Sequence, residues 1–377
     1  MTTSQPWIRT RGLDRILARE TSISDLLQFL SDRNSEPWAE LVGFMPKTVE
    51  REAIGSNQAD LLLTAKDGRV AAIEVKLGHI MSAKQQANYE SLPGNPSLYL
   101  AALSMDRQRV DADSTLDWSF LSLAQVFEAW TDTDDGVSRA LANHAFVVLS
   151  EWDWLLSRAF GPARGAEGKP LNILTQKFLA RVLTRRIAAD LRSRGRLSKA
   201  DVASGGGLPL IQAWTPIRGE DEYRCFMAEV RWQQNNQGGK LRFGVDFGNR
   251  PGEPENEEIR RTAHELSQSM DTHIDFPALK RYMNVAHPQL AGLLTQDGVS
   301  RPVAKGDWEQ VVRYGFAGTS AANGKKNSRQ QTTPAFFGDS TLRFQATADV
   351  DFGNANGQDI VNLLDATLSY LSDRQPA

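Results

Sequence analysis

The stretch Asn57–Tyr89, NQADLLLTAKDGRVAAIEVKLGHIMSAKQQANY, decides the fold that the sequence predicts. Its first half predicts a β-hairpin, because two apolar runs flank the turn Lys66–Gly68. Within the second strand, Glu74 and Lys76 lie two residues apart, so both side chains are expected on one face. Asp60 opens the first strand, and pairing around the turn would bring it close to Glu74.

Two carboxylates that converge at strand ends form an oxygen-rich site of the kind that suits Mg²⁺ or Mn²⁺. We therefore predict that Asp60 and Glu74 bind such an ion, with the main-chain carbonyl of Val75 as a further oxygen ligand. A cation there can lower the pKa of a bound water and stabilise charge on a phosphate. Lys76 could orient or deprotonate that water and offset charge in the transition state.

Asp60 followed by Glu74, Val75 and Lys76 resembles the D…(D/E)xK pattern of the PD-(D/E)XK nuclease superfamily. The residue before Asp60 is alanine, where the family pattern has proline. The resemblance covers roughly residues 10–130. It implies a restriction-endonuclease-like mixed sheet flanked by helices, a bound Mg²⁺ or Mn²⁺, and hydrolysis of a phosphodiester bond at these residues.

Further positions match motifs of the same superfamily. Gln85 and Tyr89, four residues apart on a predicted helix, are similar to the QxxxY motif of RecB-like members. By resemblance, Gln85 would hydrogen-bond near the phosphate or metal and Tyr89 would support it at the nucleic acid; Gln86 is the alternative if the register differs by one. The family also often has a glutamate on a helix before the core, for which Glu20 is the favoured candidate and Glu40 the other.

The rest of the pattern predicts an α/β chain in three parts: a nuclease-like core over residues 1–135, a helical segment over 136–204, and an α+β domain of unknown role over 205–377. Helical spacing is expected from Asp117 to Trp130. The glycine-rich segment Ser204–Gly207 is the best candidate for a linker.

Two segments of the last part share letters. Leu241–Asn249 and Leu342–Asn354 each contain Leu-Arg-Phe followed by Val-Asp-Phe-Gly-Asn, and each precedes a predicted helix. This similarity indicates either a degenerate internal duplication or a chance match.

The stretch Arg181–Lys199 carries a marked local excess of basic residues. Because contacts to phosphate supply sequence-independent affinity, these residues could bind the backbone of a nucleic acid. The candidates for this contact are Arg181, Arg185, Arg186 and Arg192. The alternative is a solvated amphipathic helix whose apolar side packs inward.

Composition narrows the class of protein. The 377 residues carry a net charge of −3, which excludes a polybasic binder at the level of the whole chain. The single cysteine, Cys225, excludes a disulfide framework and a cysteine-rich zinc site. Because no apolar run of about 18 residues and no signal peptide is apparent, we expect a cytoplasmic protein with no membrane partner.

These features together predict a Mg²⁺- or Mn²⁺-dependent nuclease that acts on DNA, in bacterial antiviral defence or repair. The biological setting is implied by the resemblance alone. Two alternatives stay open: a non-catalytic protein that binds nucleic acid or a partner through a nuclease-like core, and a nuclease that cleaves RNA. The last domain could also mediate homo-oligomer formation or bind a partner protein.

Overall fold

The computed structural model describes most of the chain in a set of separate ranges. These are residues 12–51, 59–77, 83–92, 94–107, 118–161, 168–174, 176–194, 199–205, 207–234, 237–248, 257–295, 309, 312–313, 335–338 and 342–376. The chain divides into two compact units, one of Met1–Arg158 with Phe178–Leu183 and the other of Ala159–Lys177 with Thr184–Ala377.

The first unit begins with three helices: α1 (Gly12–Leu17), α2 (Glu20–Arg33) and α3 (Trp38–Val42). Helix α2 is amphipathic, because Ile23, Leu27 and Leu30 recur at helical spacing and all three are fully buried. Helix α3 ends at Gly43, which adopts the left-handed conformation.

A five-stranded mixed sheet follows, in the order β1-β2-β3-β4-β5. Its strands are β1 (Pro46–Glu50), β2 (Leu61–Ala65), β3 (Val70–Lys76), β4 (Ser97–Ala102) and β5 (Trp118–Ser122). The first three strands pair antiparallel and the last two join in parallel, with helix α4 (Ala83–Glu90) between β3 and β4. Because Leu61 pairs with Ile73, Asp60 and Glu74 are the next residues along that ladder.

Strand β3 is buried on both of its faces. Every residue from Ala71 to Lys76 is buried, as expected of a central strand in a sheet covered on both sides. Glu74 and Lys76 are 4% and 7% exposed. These two charged side chains therefore do not belong to a solvated strand face.

The prediction of helix from Asp117 to Trp130 is wrong in its first half. Trp118–Ser122 forms strand β5, paired with β4, and helix α5 (Leu123–Glu128) begins only afterwards. The periodicity of a short apolar run does not separate helix from strand. Residues Trp118–Ser122 form a strand because they pair with β4 and bury the Trp118 side chain.

Two long helices follow: α6 (Gly136–Phe160) and α7 (Lys177–Ser193). Residues 136–158, which we predicted as part of a separate helical segment, belong to the first unit. So do Phe178–Leu183 of α7, where the Phe178 ring contacts that of Trp152 with centroids 4.6 Å apart. The first unit is therefore discontinuous in sequence.

The second unit is built on a seven-stranded antiparallel sheet, in the order β10-β12-β9-β8-β7-β6, with β11 also paired to β12. The strands are β6 (Lys199–Gly205), β7 (Leu208–Pro216), β8 (Arg224–Trp232), β9 (Gly239–Phe247), β10 (Leu294–Thr295), β11 (Ala335–Gly338) and β12 (Leu342–Val350). Its further helices are α8 (Glu257–Ser269), α9 (Phe276–Ala286), α10 (Pro288–Leu293) and α11 (Gly357–Ser372).

The core of the second unit lies on one face of this sheet. Phe226, Val245 and Phe344 are register partners on three adjacent strands, and all are fully buried. Next to Val245 on β9, Gly244 lies so close to β12 that an added Cβ would be 1.9 Å from the carbonyl oxygen of Phe344. Backbones approach here more closely than any side chain would allow.

The glycine-rich segment Ser204–Gly207 is not a linker, because it lies where β6 turns into β7. Ser204 and Gly205 are paired with β7, and Gly207 adopts a φ of +77°. Glycine supplies this left-handed backbone at a hairpin turn without a Cβ penalty, so the composition marked a tight turn. Lys199, the last residue of the basic stretch, is the first residue of β6.

The two segments with shared letters form neighbouring strands. β9 and β12 pair antiparallel over their full length, with Arg343 opposite Asp246. Among the helices in the part of the chain that the structure describes, none is both long and apolar enough to cross a membrane.

Candidate functional site

The predicted acids meet at one edge of the first sheet, where β2 begins and β3 ends. Asp60 immediately precedes β2, and its Oδ2 accepts a hydrogen bond of 2.8 Å from the Val75 N–H. This bond fixes the half-buried Asp60 carboxylate beside the part of β3 that carries Glu74 and Lys76. The hairpin inferred from the sequence therefore places these residues together.

Both oxygens of the buried Glu74 carboxylate are engaged. The Lys76 ammonium forms an ion pair with Oε1, and the Tyr89 hydroxyl donates a hydrogen bond to Oε2. A carboxylate removed from water needs such partners, because an uncompensated buried charge is costly. Glu74 is thus held in one orientation by two neighbours.

Glu20, rather than Glu40, joins this cluster. Glu20 is the first residue of α2; its Oε1 accepts a hydrogen bond of 2.7 Å from the Leu77 N–H, and its Oε2 lies 3.7 Å from the Lys76 Nζ. Glu40 lies on α3 and lines a different groove of about 800 Å³ that is rich in acidic residues. The contact with Lys76 agrees with the preference for Glu20 that the resemblance gave.

Tyr89 connects the two strands of the site. Its hydroxyl accepts a 3.2 Å hydrogen bond from the Asp60 N–H and donates to Glu74. Its ring packs against Trp118, with centroids 5.2 Å apart and planes tilted by 59°. Gln85 lies one helical turn earlier and is half-buried, whereas the side chain of Gln86 lies outside the described residues.

Trp118 is the supporting residue that sequence reasoning missed. It belongs to a buried apolar cluster with Ala72, Leu98 and Leu100, on which the Tyr89 ring rests. An aromatic residue at the start of a short apolar run was the available signal. That run was interpreted as helix, so its side chain could not be assigned to the site.

The electrostatics of the cluster show an excess of negative charge. Burial, and then the charge of Glu74, raise the pKa of Asp60 to about 7, although the Val75 N–H and Lys76 act against this shift. Burial alone would lower the pKa of Lys76, but the charge and hydrogen bond of Glu74, with further help from Glu20, raise it above its usual range. Burial and the charge of Glu74 also raise the pKa of Tyr89.

The carboxylate oxygens of Asp60 and Glu74 are chemically suited to a hard divalent cation, although the structure does not arrange them as a complete metal-binding site. Among the described residues, no group of three or more His, Cys, Asp and Glu side chains is arranged to hold a metal ion. Asp60 and Glu74 still offer two adjacent carboxylates in a site with surplus negative charge, which is what Mg²⁺ or Mn²⁺ requires. The predicted ligand role of the Val75 carbonyl stays a prediction.

Four arginines predicted to bind nucleic acid lie on α7: Arg181, Arg185, Arg186 and Arg192. Two of them have partners within the second unit. The guanidinium of Arg186 lies 5.0 Å from the centroid of the Phe160 ring, and the Arg192 Nε donates a hydrogen bond of 2.8 Å to the Ala200 carbonyl. Arg181 and Arg185 are half-buried, and Arg181 belongs to the first unit. Part of the basic character therefore serves the fold, and the contact with nucleic acid stays a prediction.

Comparisons of the chain with protein-family models, with curated proteins and with solved structures find no match. What the site can do follows from its own residues. Two adjacent carboxylates can bind a hard cation, and an ammonium beside them can donate a hydrogen bond to an anion or a water.

Tyr89→Phe should destabilise the protein by about 1–3 kcal/mol, because the buried Glu74 carboxylate loses a donor and the Asp60 N–H loses its acceptor. Urea denaturation in the presence of EDTA measures this change. The matched control is Tyr99→Phe, because the hydrogen bond that the Tyr99 hydroxyl donates among the described residues is a long one, 3.4 Å to the Val42 carbonyl. Equal losses in the two variants would contradict a structural role for the Tyr89 hydroxyl.

Proposed function

We propose that the chain is a metal-dependent nuclease that hydrolyses phosphodiester bonds in DNA. The observation that carries this proposal is the cluster at the end of β3, where Glu74 and Lys76 form an ion pair and the Asp60 carboxylate is held beside them by the Val75 N–H. Glu20 lies beside Lys76, whereas Tyr89, which by resemblance would support the contact with nucleic acid, is buried and donates to Glu74 instead.

The first unit supports the same proposal. A mixed sheet of antiparallel and parallel strands with flanking helices is the type of core that the resemblance implies. We infer that this unit is a restriction-endonuclease-like core, with the site at the edge where β2 begins and β3 ends. DNA as the partner, the cytoplasm as the compartment and bacterial antiviral defence or repair as the setting are proposed on the resemblance alone.

Each residue has a proposed role that follows from its contacts. Asp60 and Glu74 would hold Mg²⁺ or Mn²⁺, which when bound supplies Lewis acidity toward water and phosphate oxygens. Lys76 would act as a hydrogen-bond donor to the attacking water or the phosphate, because its raised pKa keeps it protonated at neutral pH. Glu20 would position Lys76. Gln85 is given its role by resemblance alone: it would hydrogen-bond near the phosphate or the metal.

The test is cleavage of supercoiled plasmid DNA by the full chain with Mg²⁺ or Mn²⁺. We expect cleavage by the wild type, its loss on adding EDTA, and a fall of at least about 100-fold in Lys76→Ala, since the donor to the developing charge is removed. Lys47→Ala is the matched control, because Lys47 is an exposed lysine on β1 of the same sheet, and it should cleave like the wild type.

Other outcomes separate the alternatives. Cleavage that persists in both Asp60→Ala and Lys76→Ala would overturn this site. DNA binding without any cleavage, unchanged by Lys76→Ala, would favour a non-catalytic binding protein. A parallel assay with single-stranded and duplex RNA distinguishes the two nuclease substrates.

A further inference from the structure

Lys76 is a cation placed where a metal ion would be expected to act. Its ammonium is paired with Glu74 and lies 3.7 Å from the Glu20 Oε2, and the residue is only 7% exposed. We propose that Lys76 is the built-in counter-ion of this site, and that a divalent cation binds Glu74 only as the ammonium moves from Glu74 to Glu20. This inference rests on the proposed function and adds to it that Lys76 limits the affinity of the site for the metal ion.

The balance of charge explains why a counter-ion is needed. Asp60, Glu74 and Glu20 contribute up to three negative charges, and a buried carboxylate without compensation would destabilise the fold. The Lys76 ammonium supplies one positive charge at the most buried of the three acids. A divalent cation would supply two charges at the same carboxylate.

The two cations cannot share that carboxylate at close range. Like charges a few ångströms apart repel strongly where water is largely excluded. The other neighbour of Glu74 is the hydroxyl of Tyr89, which carries no charge and imposes no such repulsion. Competition for Glu74 therefore falls on Lys76.

Glu20 gives the displaced ammonium a nearby partner. Its Oε1 is fixed by the Leu77 N–H, so the carboxylate stays in place while its Oε2 faces Lys76. Because the Lys76 ammonium is close to both Glu74 and Glu20, it can move from one carboxylate to the other while its charge stays compensated. It also leaves the ammonium beside the site, where the proposed function needs it.

The affinity for Mn²⁺, measured by calorimetry on the full chain, tests the exchange. Lys76→Met removes the competing charge but keeps the length of the side chain, so Mn²⁺ should bind about tenfold more tightly or better. Lys76→Arg keeps the charge and should show no tightening. Lys47→Met, which removes an exposed charge from the same unit, should bind Mn²⁺ like the wild type.

A second measurement uses the wild-type chain, because Lys76→Met removes a buried charge and risks unfolding. Lysine labelled with ¹³C at Cε gives one signal for Lys76, assigned as the signal that is missing in Lys76→Arg. On titration with Mg²⁺ this signal should shift with the midpoint of metal binding. A Lys76 signal that stays unmoved at saturating Mg²⁺ would overturn the exchange.

The two levels of proposal fail in different ways. If the wild type binds Mn²⁺ and cleaves DNA but Lys76→Met binds Mn²⁺ no more tightly, the exchange is wrong and the proposed nuclease stands. If the wild type neither binds Mn²⁺ nor cleaves DNA, the proposed function fails and the exchange fails with it.

Discussion

Asp60→Asn is expected to abolish metal-dependent DNA cleavage and, at pH 8, to make the metal-free protein more stable than the wild type. Activity should fall at least about 100-fold, because the site loses one of its two metal-binding carboxylates. Stability should rise because asparagine carries no charge into this half-buried position, and its side-chain oxygen can still accept the hydrogen bond from the Val75 N–H.

The gain in stability should depend on pH in a defined way. The pKa of Asp60 is raised to about 7 in the folded protein, so the folded state binds more protons than the unfolded state between about pH 4 and pH 7. Wild-type stability therefore falls across that window and levels off above it. The advantage of Asp60→Asn should grow by about 2–3 kcal/mol from pH 5 to pH 8.

Calorimetric melting in EDTA at pH 5, 6, 7 and 8 measures this difference. The matched control is Asp67→Asn, in the turn between β2 and β3, where a hydrogen bond from the Arg69 side chain lowers the pKa of Asp67. Its effect should stay constant across the same pH range. A pH-independent difference for Asp60→Asn would show that the Asp60 carboxyl is not held protonated by its surroundings.

Gly244→Ala is expected to destabilise the second unit by at least about 3 kcal/mol. The added Cβ would lie 1.9 Å from the carbonyl oxygen of Phe344, which is a backbone atom in the middle of the paired strands β9 and β12. The φ of +156° at Gly244 adds to the strain, because L side chains rarely adopt it. Neither strand can move away without breaking its ladder.

Thermal melting of the full chain measures the effect of Gly244→Ala. Gly292→Ala is the control, because Gly292 lies in α10 and no atom of the described structure is within 4 Å of an added Cβ. Alanine in that helix should be neutral or stabilise by up to about 1 kcal/mol. Similar melting temperatures for the two variants would contradict the close pairing of β9 with β12.

The candidate site could be predicted from sequence to the extent that local geometry determined it. Strand alternation placed Glu74 and Lys76 together, and the turn after β2 returned the chain so that Asp60 lies beside them. The i, i+4 spacing on α4 placed Gln85 and Tyr89 on one face. These relations depend on neighbours in sequence, and the structure places Asp60 and Tyr89 beside β3 as they predict, while the role of Gln85 stays a prediction.

The parts that could not be predicted depend on contacts between distant segments. Trp118 supports Tyr89 only because β5 joins the sheet beside β4, a parallel pairing that no local pattern encodes. Glu20 was favoured over Glu40 by resemblance, but its hydrogen bond from the Leu77 N–H depends on how α2 lies against β3. The glycine-rich composition before β7 predicts a linker, although Gly207 serves the geometry of the turn between β6 and β7.

The discontinuity of the first unit has a consequence for how the protein is made. When the ribosome has synthesised the chain as far as Arg158, every residue of the candidate site is present. Phe178, whose ring packs on Trp152, has not yet been synthesised. Domains generally fold as whole units as they emerge. The nascent chain therefore completes the unit that carries the acids only after Leu183 has emerged.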